Sequence, residues 1–253
     1  MTVNKTPKLD IYGLTDEGLV REHNEDYISW FIESGLVILA DGMGGHNAGE
    51  VASELAVTSI SDALDEVLTP DIKDDSEMDY KEAVHEAVVF ANDEINQHAK
   101  THPECSGMGT TVVMALFHDE SVILASVGDS RIYRFRKGEL EQVTTDHSLV
   151  QEMIDNGYMS EEEAMNSTNR NLITRALGIA ENVEVDVTQL NIEKDDIYLL
   201  CSDGLSDMID DNQIFSVLVK SREDLERASH ELVKLAKEHG GHDNVSVILV
   251  ACQ

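Results

Sequence analysis

The sequence predicts an α+β fold in which antiparallel sheets carry helices on their outer faces. Three observations predict it. Short apolar runs joined by tight turns fill residues 109–144, as in an antiparallel meander. Two long stretches of helical periodicity follow one another at 48–68 and 80–99 instead of alternating with strands. No internal repeat or low-complexity linker interrupts the 253 residues, so a single domain spanning 1–253 is expected.

The elements read in order as follows. "KLDIYGLT", "YISWFIES" and "GLVILA" are strands. From Ala48 to Leu68, Val51, Ala52, Leu55, Ala56, Ile60, Ala63, Leu64 and Val67 fall at helical spacing and predict one core-facing stripe. "TPDIKDDSEMD" reads as a polar loop; its acids lack the glycine and spacing of a calcium loop. A second helix from about Tyr80 to Ala99 turns Ala83, Val84, Ala87, Val88, Ala91 and Ile95 inward. "GTTVVMALFH", "SVILASVG", "RIYRFRKG" and "ELEQVT" are the strands of the meander. The polar, broken stretch from Ser148 to about Asn182, with short helical pieces at "SLVQEMIDNG" and "SEEEAM", reads as an inserted surface element. Strands return at "VEVDVTQLNI" and "DIYLLCS", helices at about Gln213–Ser221 and Asp224–His239, and a last strand at "NVSVILVAC".

Composition narrows the function. The chain is 42% hydrophobic and 27% charged, ordinary for a soluble globular protein. No apolar run approaches the roughly 20 residues of a membrane span, and "MTVNKTPKLD" has no apolar core of a secretory signal, so a cytoplasmic address without membrane attachment is expected. Cys105, Cys201 and Cys252 form no CxxC pair, which argues against a thiolate zinc site or a disulfide framework. Fifty acids against eighteen Lys and Arg leave a net charge of −32. Nucleic acid needs a basic footprint, so it is not an expected partner. Most of the acids read as a solvated surface, with attraction to basic partners or cations as the functional alternative.

Four acids do not fit a solvated surface. "VILADG" carries Asp41, "ILASVGDS" Asp129, "IYLLCSDG" Asp203 and "GGHDNVSVILV" Asp243. Each adjoins a strongly apolar run and has glycine beside it or nearby. A carboxylate at the end of a buried strand is costly unless it is paired or binds a metal. With few bases to pair them, hard cations are the economical partners, taking carboxylate, carbonyl and water oxygens. Each Asp alone could cap a turn or a helix; four with the same setting point to a shared site. "GLVREHNED" adds Arg21, Asn24, Glu25 and Asp26. A surface ion pair is one reading of Arg21; beside an acid-lined metal site, its fork of donors suits phosphate oxygens.

These segments resemble a known family. "REHNED", "DGMGGH", "GMGTT", "VGDSRIY", "TTDHS", "SDGLSD" and "GGHDNVSVILV" stand in the order and approximate spacing of the metal-dependent protein Ser/Thr phosphatases (PPM, type 2C class), closest to compact bacterial members, from about Asp10 to Val250. The resemblance implies a four-layer α/β-β/α sandwich of two antiparallel sheets with helices outside, plus a small flap at about 149–182. It implies hydrolysis of phosphoserine and phosphothreonine in proteins with Mn²⁺ or Mg²⁺, two ions per site and a third, weaker one in bacterial relatives. Carried over by motif, Asp41 bridges two metals and the Gly42 carbonyl binds one of them. Asp203 and Asp243 complete the other, and Asp129 with Asp203 holds the third. Glu25 and Asp26 act at the second metal, directly or through its waters.

The chemistry asks for such an arrangement independently. Phosphomonoester hydrolysis is among the slowest uncatalysed biological reactions, and paired metals lower the pKa of an attacking water. Arg21 would grip the phosphoryl oxygens. His46, three residues after the position where animal-type relatives place a histidine, is a candidate to protonate the leaving oxygen, orient substrate or simply pack. His147 and His242 are expected in supporting roles, as are Thr110 and Thr111 through hydrogen bonds; the arginines of "RIYRFRKG" are expected to offset nearby acids. Phosphorylated proteins are the expected partners, with a cognate cytoplasmic Ser/Thr kinase on the opposing side, and the chain is expected to be a monomer. Two alternatives stand beside this reading: a catalytically weak binding module on the same fold, and an aspartyl-phosphate hydrolase, whose DxDx[T/V] signature is missing around Asp41.

Overall fold

The computed structural model describes residues 7–44, 48–68, 79–160, 163–164, 167 and 171–253. Its strands are β1 (Leu9–Asp16), β2 (Asp26–Phe31), β3 (Leu36–Met43), β4 (Gly109–Thr110), β5 (Val112–His118), β6 (Ser121–Val127), β7 (Arg131–Arg136), β8 (Glu139–Gln142), β9 (Asp186–Asn191), β10 (Ile197–Cys201) and β11 (Val245–Cys252). Its helices are α1 (Ala48–Leu68), α2 (Tyr80–Thr101), α3 (Leu149–Asp155), α4 (Asp203–Ser206), α5 (Asp211–Ser221) and α6 (Leu225–Glu238). One sheet runs β1-β11-β10-β7-β8 and the other β2-β3-β5-β6-β9, with β4 paired to the end of β3. The strand pairs are antiparallel throughout.

The period of two along each strand explains the layers. Leu36, Ile38 and Ala40 of β3 pack with α1 and α2, while Val37 and Leu39 face the other sheet. Val245, Val247 and Leu249 of β11 pack with α4, α5 and α6, while Ile248 and Val250 meet β3 and β5 residues between the sheets. Three apolar layers therefore stack: helix on sheet, sheet on sheet, sheet on helix. Because both faces of the central strands are covered, "VILA" and "SVILVAC" are continuous apolar runs rather than alternating ones. Cys201 and Cys252 belong to these layers, and burial pushes both thiols up to about 12, so neither serves as a nucleophile.

Many of the surplus acids have local structural work. Asp79 caps α2 by accepting from the N–H groups of Lys81 and Glu82, Asp210 forms a capping box with Gln213 on α5, and Asp224 caps α6. Arg131 binds Asp146, Arg134 binds Glu141, and Arg136 binds Asp196 and Glu193, so the basic hairpin is spent on neighbouring acids as expected.

Two expectations need correction. "GTTVVMALFH" is not one unbroken strand. The register against β3 is continuous, with Leu39 opposite Val113 and Gly42 opposite Thr110, but the ladder is interrupted at Thr111. There the side-chain hydroxyl, not a main-chain carbonyl, takes the Asp41 N–H. A short helix, α4, also follows directly on β10 where only a strand end was foreseen. The loop at 69–78 and most of "SEEEAM" lie outside the described residues.

Asn92 ties α2 to the chain returning from the 148–182 region. Its Nδ2 donates to the carbonyls of Ala180 and Glu181, and its Oδ1 accepts from the Gly178 N–H. Asn92→Ala leaves three main-chain groups without this partner and is expected to cost about 2 kcal/mol. Urea unfolding would read this as a lower midpoint at unchanged slope; an unchanged midpoint would show that the anchor carries no stability.

Candidate metal centre and active site

One end of the sandwich collects the acids, and the ladders explain why. Asp26 opens β2 directly opposite Asp41 near the end of β3. In the other sheet, the end of β10 pairs with the start of β11, Cys201 opposite Val247. That register brings Asp203, two residues after β10, to the same end as Asp243, two residues before β11. Asp129 lies where the chain leaves β6 of one sheet and enters β7 of the other.

Each acid is fixed by its surroundings. The Asp41 N–H donates to Thr111 Oγ1 (3.1 Å), and its carbonyl accepts from Thr110 Oγ1 and the Thr111 N–H (2.9 Å each). The threonines thus have the supporting role expected of them. Ser202 Oγ donates to Asp26 Oδ2 at 2.9 Å. Gly42 admits no side chain: a Cβ there would stand 2.1 Å from the Gly49 carbonyl oxygen and 2.5 Å from that of Glu25. The Gly42 N–H donates to the Glu25 carbonyl, which joins the two motifs.

Asn244 is a residue that the sequence reading passed over. Its Nδ2 donates to the carbonyls of Glu17 and His23, and its Oδ1 accepts from the Glu25 N–H. It therefore folds the 17–25 loop that carries Arg21 and Glu25 into the site. The available signal was a buried polar residue between Asp243 and an apolar strand. Ser202 was missed likewise, although it precedes Asp203 directly.

Burial pushes the Asp41 carboxyl well above the usual range, and Asp26, Asp203, Asp129 and Asp243 push it further. Asp203 is raised in the same way, by burial and then by Asp129, Asp243, Asp207 and Asp26. Burial raises Asp26 and Asp129 to about 6 each. Through their effects on Asp41 and Asp203, the acids belong to one electrostatic group. Arg21 is the basic residue inserted into it, with Nη2 2.6 Å from Asp243 Oδ2. The expectation that base-poor composition leaves the strand-end acids unpaired fails at Asp243 for this reason.

The donor set suits a hard divalent cation. It is made of oxygen atoms, glycine brings the main chain close, and Asp203 Oδ1 is buried with no hydrogen-bond partner. Among the described residues no three His, Cys, Asp or Glu side chains are closed into one metal-holding group, and Asp243 is paired with Arg21. Arg21, Glu25, Asp26, Asp41, Gly42, Asp129, Asp203 and Asp243 stand at this end of the sandwich; His46 lies outside the described residues. Beside the acids opens a cavity of about 870 Å³, lined by Asp129, Asp203, Asp207 and Asp211 together with Val150 and Ile154 of α3.

Comparison with known proteins agrees with this geometry. The family described as Protein phosphatase 2C matches residues 20–238. The chain belongs to the protein phosphatase 2C family. Within that family it is 40% identical to the serine/threonine phosphatase stp of Listeria monocytogenes over 239 residues, covering 93% of each chain. It superposes on the crystal structure of the Mycobacterium tuberculosis serine/threonine phosphatase PstP/Ppp with a TM-score of 0.88 at 38% identity, over 97% of this chain and 99% of the other. The catalytic domain of PstP in complex with two manganese ions gives a TM-score of 0.84 at 38% identity, over 96% and 97%. These protein phosphatase 2C relatives carry the names of phosphatases, which leaves the binding-module alternative without support.

The raised carboxyls predict a pH dependence. Asp26 and Asp129 hold protons in the folded chain up to about pH 6, whereas the unfolded chain releases them near 3.8. The folded state thus binds more protons between these values, so their contribution is present below about pH 4 and is lost as pH rises through 6. Chelator-treated protein should melt several degrees lower, roughly 5 °C, at pH 7.5 than at pH 5. Added Mn²⁺ should raise the melting temperature more at pH 7.5, because cation binding displaces those protons. A melting temperature that is flat in pH and indifferent to Mn²⁺ would contradict the acid cluster as a cation site.

Proposed function

We infer that the chain is a metal-dependent protein serine/threonine phosphatase that hydrolyses phosphoserine and phosphothreonine. The observation that carries the site assignment is the convergence of Asp26, Asp41, Asp129, Asp203 and Asp243 on one end of the sandwich, with an unpaired buried oxygen on Asp203. When bound, divalent cations, Mn²⁺ or Mg²⁺, would supply positive charge against the phosphoryl oxygens and lower the pKa of water at the site.

The residues divide the remaining work. Asp41 is central to the acids and would bridge two ions, with the Gly42 carbonyl beside it. Asp203 and Asp243 would hold one ion, Glu25 and Asp26 would act at the other, and Asp129 with Asp203 would take a third, weaker ion. Arg21 would orient the phosphoryl group: a dianion entering the site would compete with Asp243 for the guanidinium that it now holds. His46 is the candidate to protonate the departing serine or threonine oxygen, orient substrate or simply pack. The buried thiols are not used.

The substrate is a phosphorylated protein, and the opposing enzyme is a Ser/Thr kinase in the same compartment, which we take to be the cytoplasm. No helix among the described residues is long and apolar enough to cross a membrane. We take the chain to act as one domain and as a monomer; of the flap expected at about 149–182, residues 161–162, 165–166 and 168–170 lie outside the described residues.

Phosphate release from a phosphothreonine peptide should require Mn²⁺ and stop with chelator. Asp243→Asn should lower kcat by about 100-fold or more with the fold intact by circular dichroism. Metal-independent release, or full turnover in that variant, would remove the assignment.

The net charge of −32 and the acid-lined cavity predict substrate preference. Phosphopeptides flanked by Lys or Arg should show kcat/KM roughly 10-fold above acidic ones at low ionic strength, the ratio shrinking with salt. Equal rates at low salt would show that the charge plays no part in selection.

A further inference from the structure

His147 is buried, and it grips the loop that carries Asp129 from both sides of its own backbone and ring. Its N–H donates to the Gly128 carbonyl at 2.9 Å, and the Gly128 N–H donates to its Nδ1 at 3.1 Å. An acceptor Nδ1 carries no proton, so in the neutral ring the proton sits on Nε2, which points to Asp186 Oδ2 at 3.2 Å. Asp186 begins β9 and is also bound by Arg175. The His147 carbonyl accepts from the Thr174 N–H, and the next residue, Ser148, bridges to Ile173. His147 is thus the joint between the Asp129 loop, the returning end of the 148–177 segment and β9.

The other side of the same loop is pinned to Asp41. Ser130 Oγ is 2.7 Å from Thr111 Oγ1, the atom that accepts the Asp41 N–H. Gly128 has φ +107° and packs on Thr111, where a Cβ would meet the threonine side chain at 2.6 Å. Gly128 cannot be held by a side chain of its own, so its orientation depends on its two bonds to His147.

We propose that His147 is a positioning residue for Asp129: by fixing Gly128 through Nδ1, with Asp186 setting the tautomer, it holds the Asp129 carboxylate where it can share a cation with Asp203. This rests on the assignment of Asp129 and Asp203 as ligands of the weaker ion. A weak ion site needs its carboxylate held in advance, because ordering a loop on binding subtracts from affinity. His147 never touches the ion or the substrate, so its loss acts on cation affinity and not on the chemical step.

The test uses two side chains that each keep one half of the imidazole. Asn places an acceptor near Nδ1 and lacks the reach to Asp186; Gln reaches toward Asp186 and lacks the Nδ1 acceptor. Mn²⁺ binding to the metal-free full chain is counted by calorimetry or electron paramagnetic resonance without substrate, alongside Mn²⁺ activation of phosphopeptide hydrolysis and the melting temperature. His147→Gln should weaken the weakest Mn²⁺ site about 10-fold and raise half-activating Mn²⁺ by a similar factor, with kcat at saturating Mn²⁺ within about 3-fold. His147→Asn should restore most of that affinity. Asp186→Ala, at a half-exposed site that leaves His147 in place, should shift affinity about 3-fold in the same direction and carries the test if the His147 variants fail to fold.

Asp129→Ala separates the two ideas. If it removes the weakest site while His147→Gln and Asp186→Ala leave Mn²⁺ affinity unchanged, the positioning role is overturned and the ligand assignment stands. If Asp129→Ala leaves the Mn²⁺ count and affinities unchanged, the ligand assignment falls and the proposal with it. Equal losses in His147→Asn and His147→Gln that track only melting temperature would also overturn it.

Discussion

Mutual repulsion among buried carboxylates is the interaction on which the rest of this structure depends. Two unit charges about 4 Å apart interact by about 4 kcal/mol even at an effective dielectric of 20, more than the burial of one leucine side chain returns. Burial raises the Asp41 and Asp203 carboxyls, and acids from the other segments raise them further: Asp26, Asp129 and Asp243 act on both. Such a group survives only if something else holds the segments in place. Here three apolar layers do so, and the ladders place the acids at one end of the layers.

The polar contacts around the acids act on orientation more than on charge. Thr110 and Thr111 bind the main chain of Asp41, Ser202 binds one oxygen of Asp26, and Asn244 binds three main-chain groups of the 17–25 loop. None of these partners is cationic, so the negative potential survives. Arg21, inserted into the group, is half-exposed and held by one carboxylate, a contact that a phosphate can exchange. The other arginines of the β7 hairpin are committed to Asp146, Glu141, Glu193 and Asp196. A base-poor chain has thereby placed its cationic side chains so that the acid cluster remains available to cations that arrive from solution.

Much of this was legible in residues alone because the fold is covered on both faces of each sheet. Buried strands then read as continuous apolar runs, and an acid at the end of such a run stands out. The helices at 48–68 and 80–101 were legible from their period, to the residue at the first. The interruption at Thr111 was not, because it depends on a side chain across the ladder taking a main-chain proton. The role of Asn244 was not, because its three partners are more than 200 residues away in sequence. Arg21 was read either as a surface ion pair or as a phosphate ligand; that its ion-pair partner is Asp243 depends on a contact between opposite ends of the chain.

By itself, the sequence determined which residue types were available: oxygen donors beside glycine, at the ends of apolar runs, in the order of one phosphatase family. Local periodicity and composition suffice for that, since they are properties of neighbouring residues. Only the tertiary structure decided that these acids share one end of the sandwich, that Asp26 faces Asp41, and that Gly128 hangs on His147. Those facts come from strand register and from the crossing between sheets, and register is set by packing between segments that the chain separates by tens to hundreds of residues.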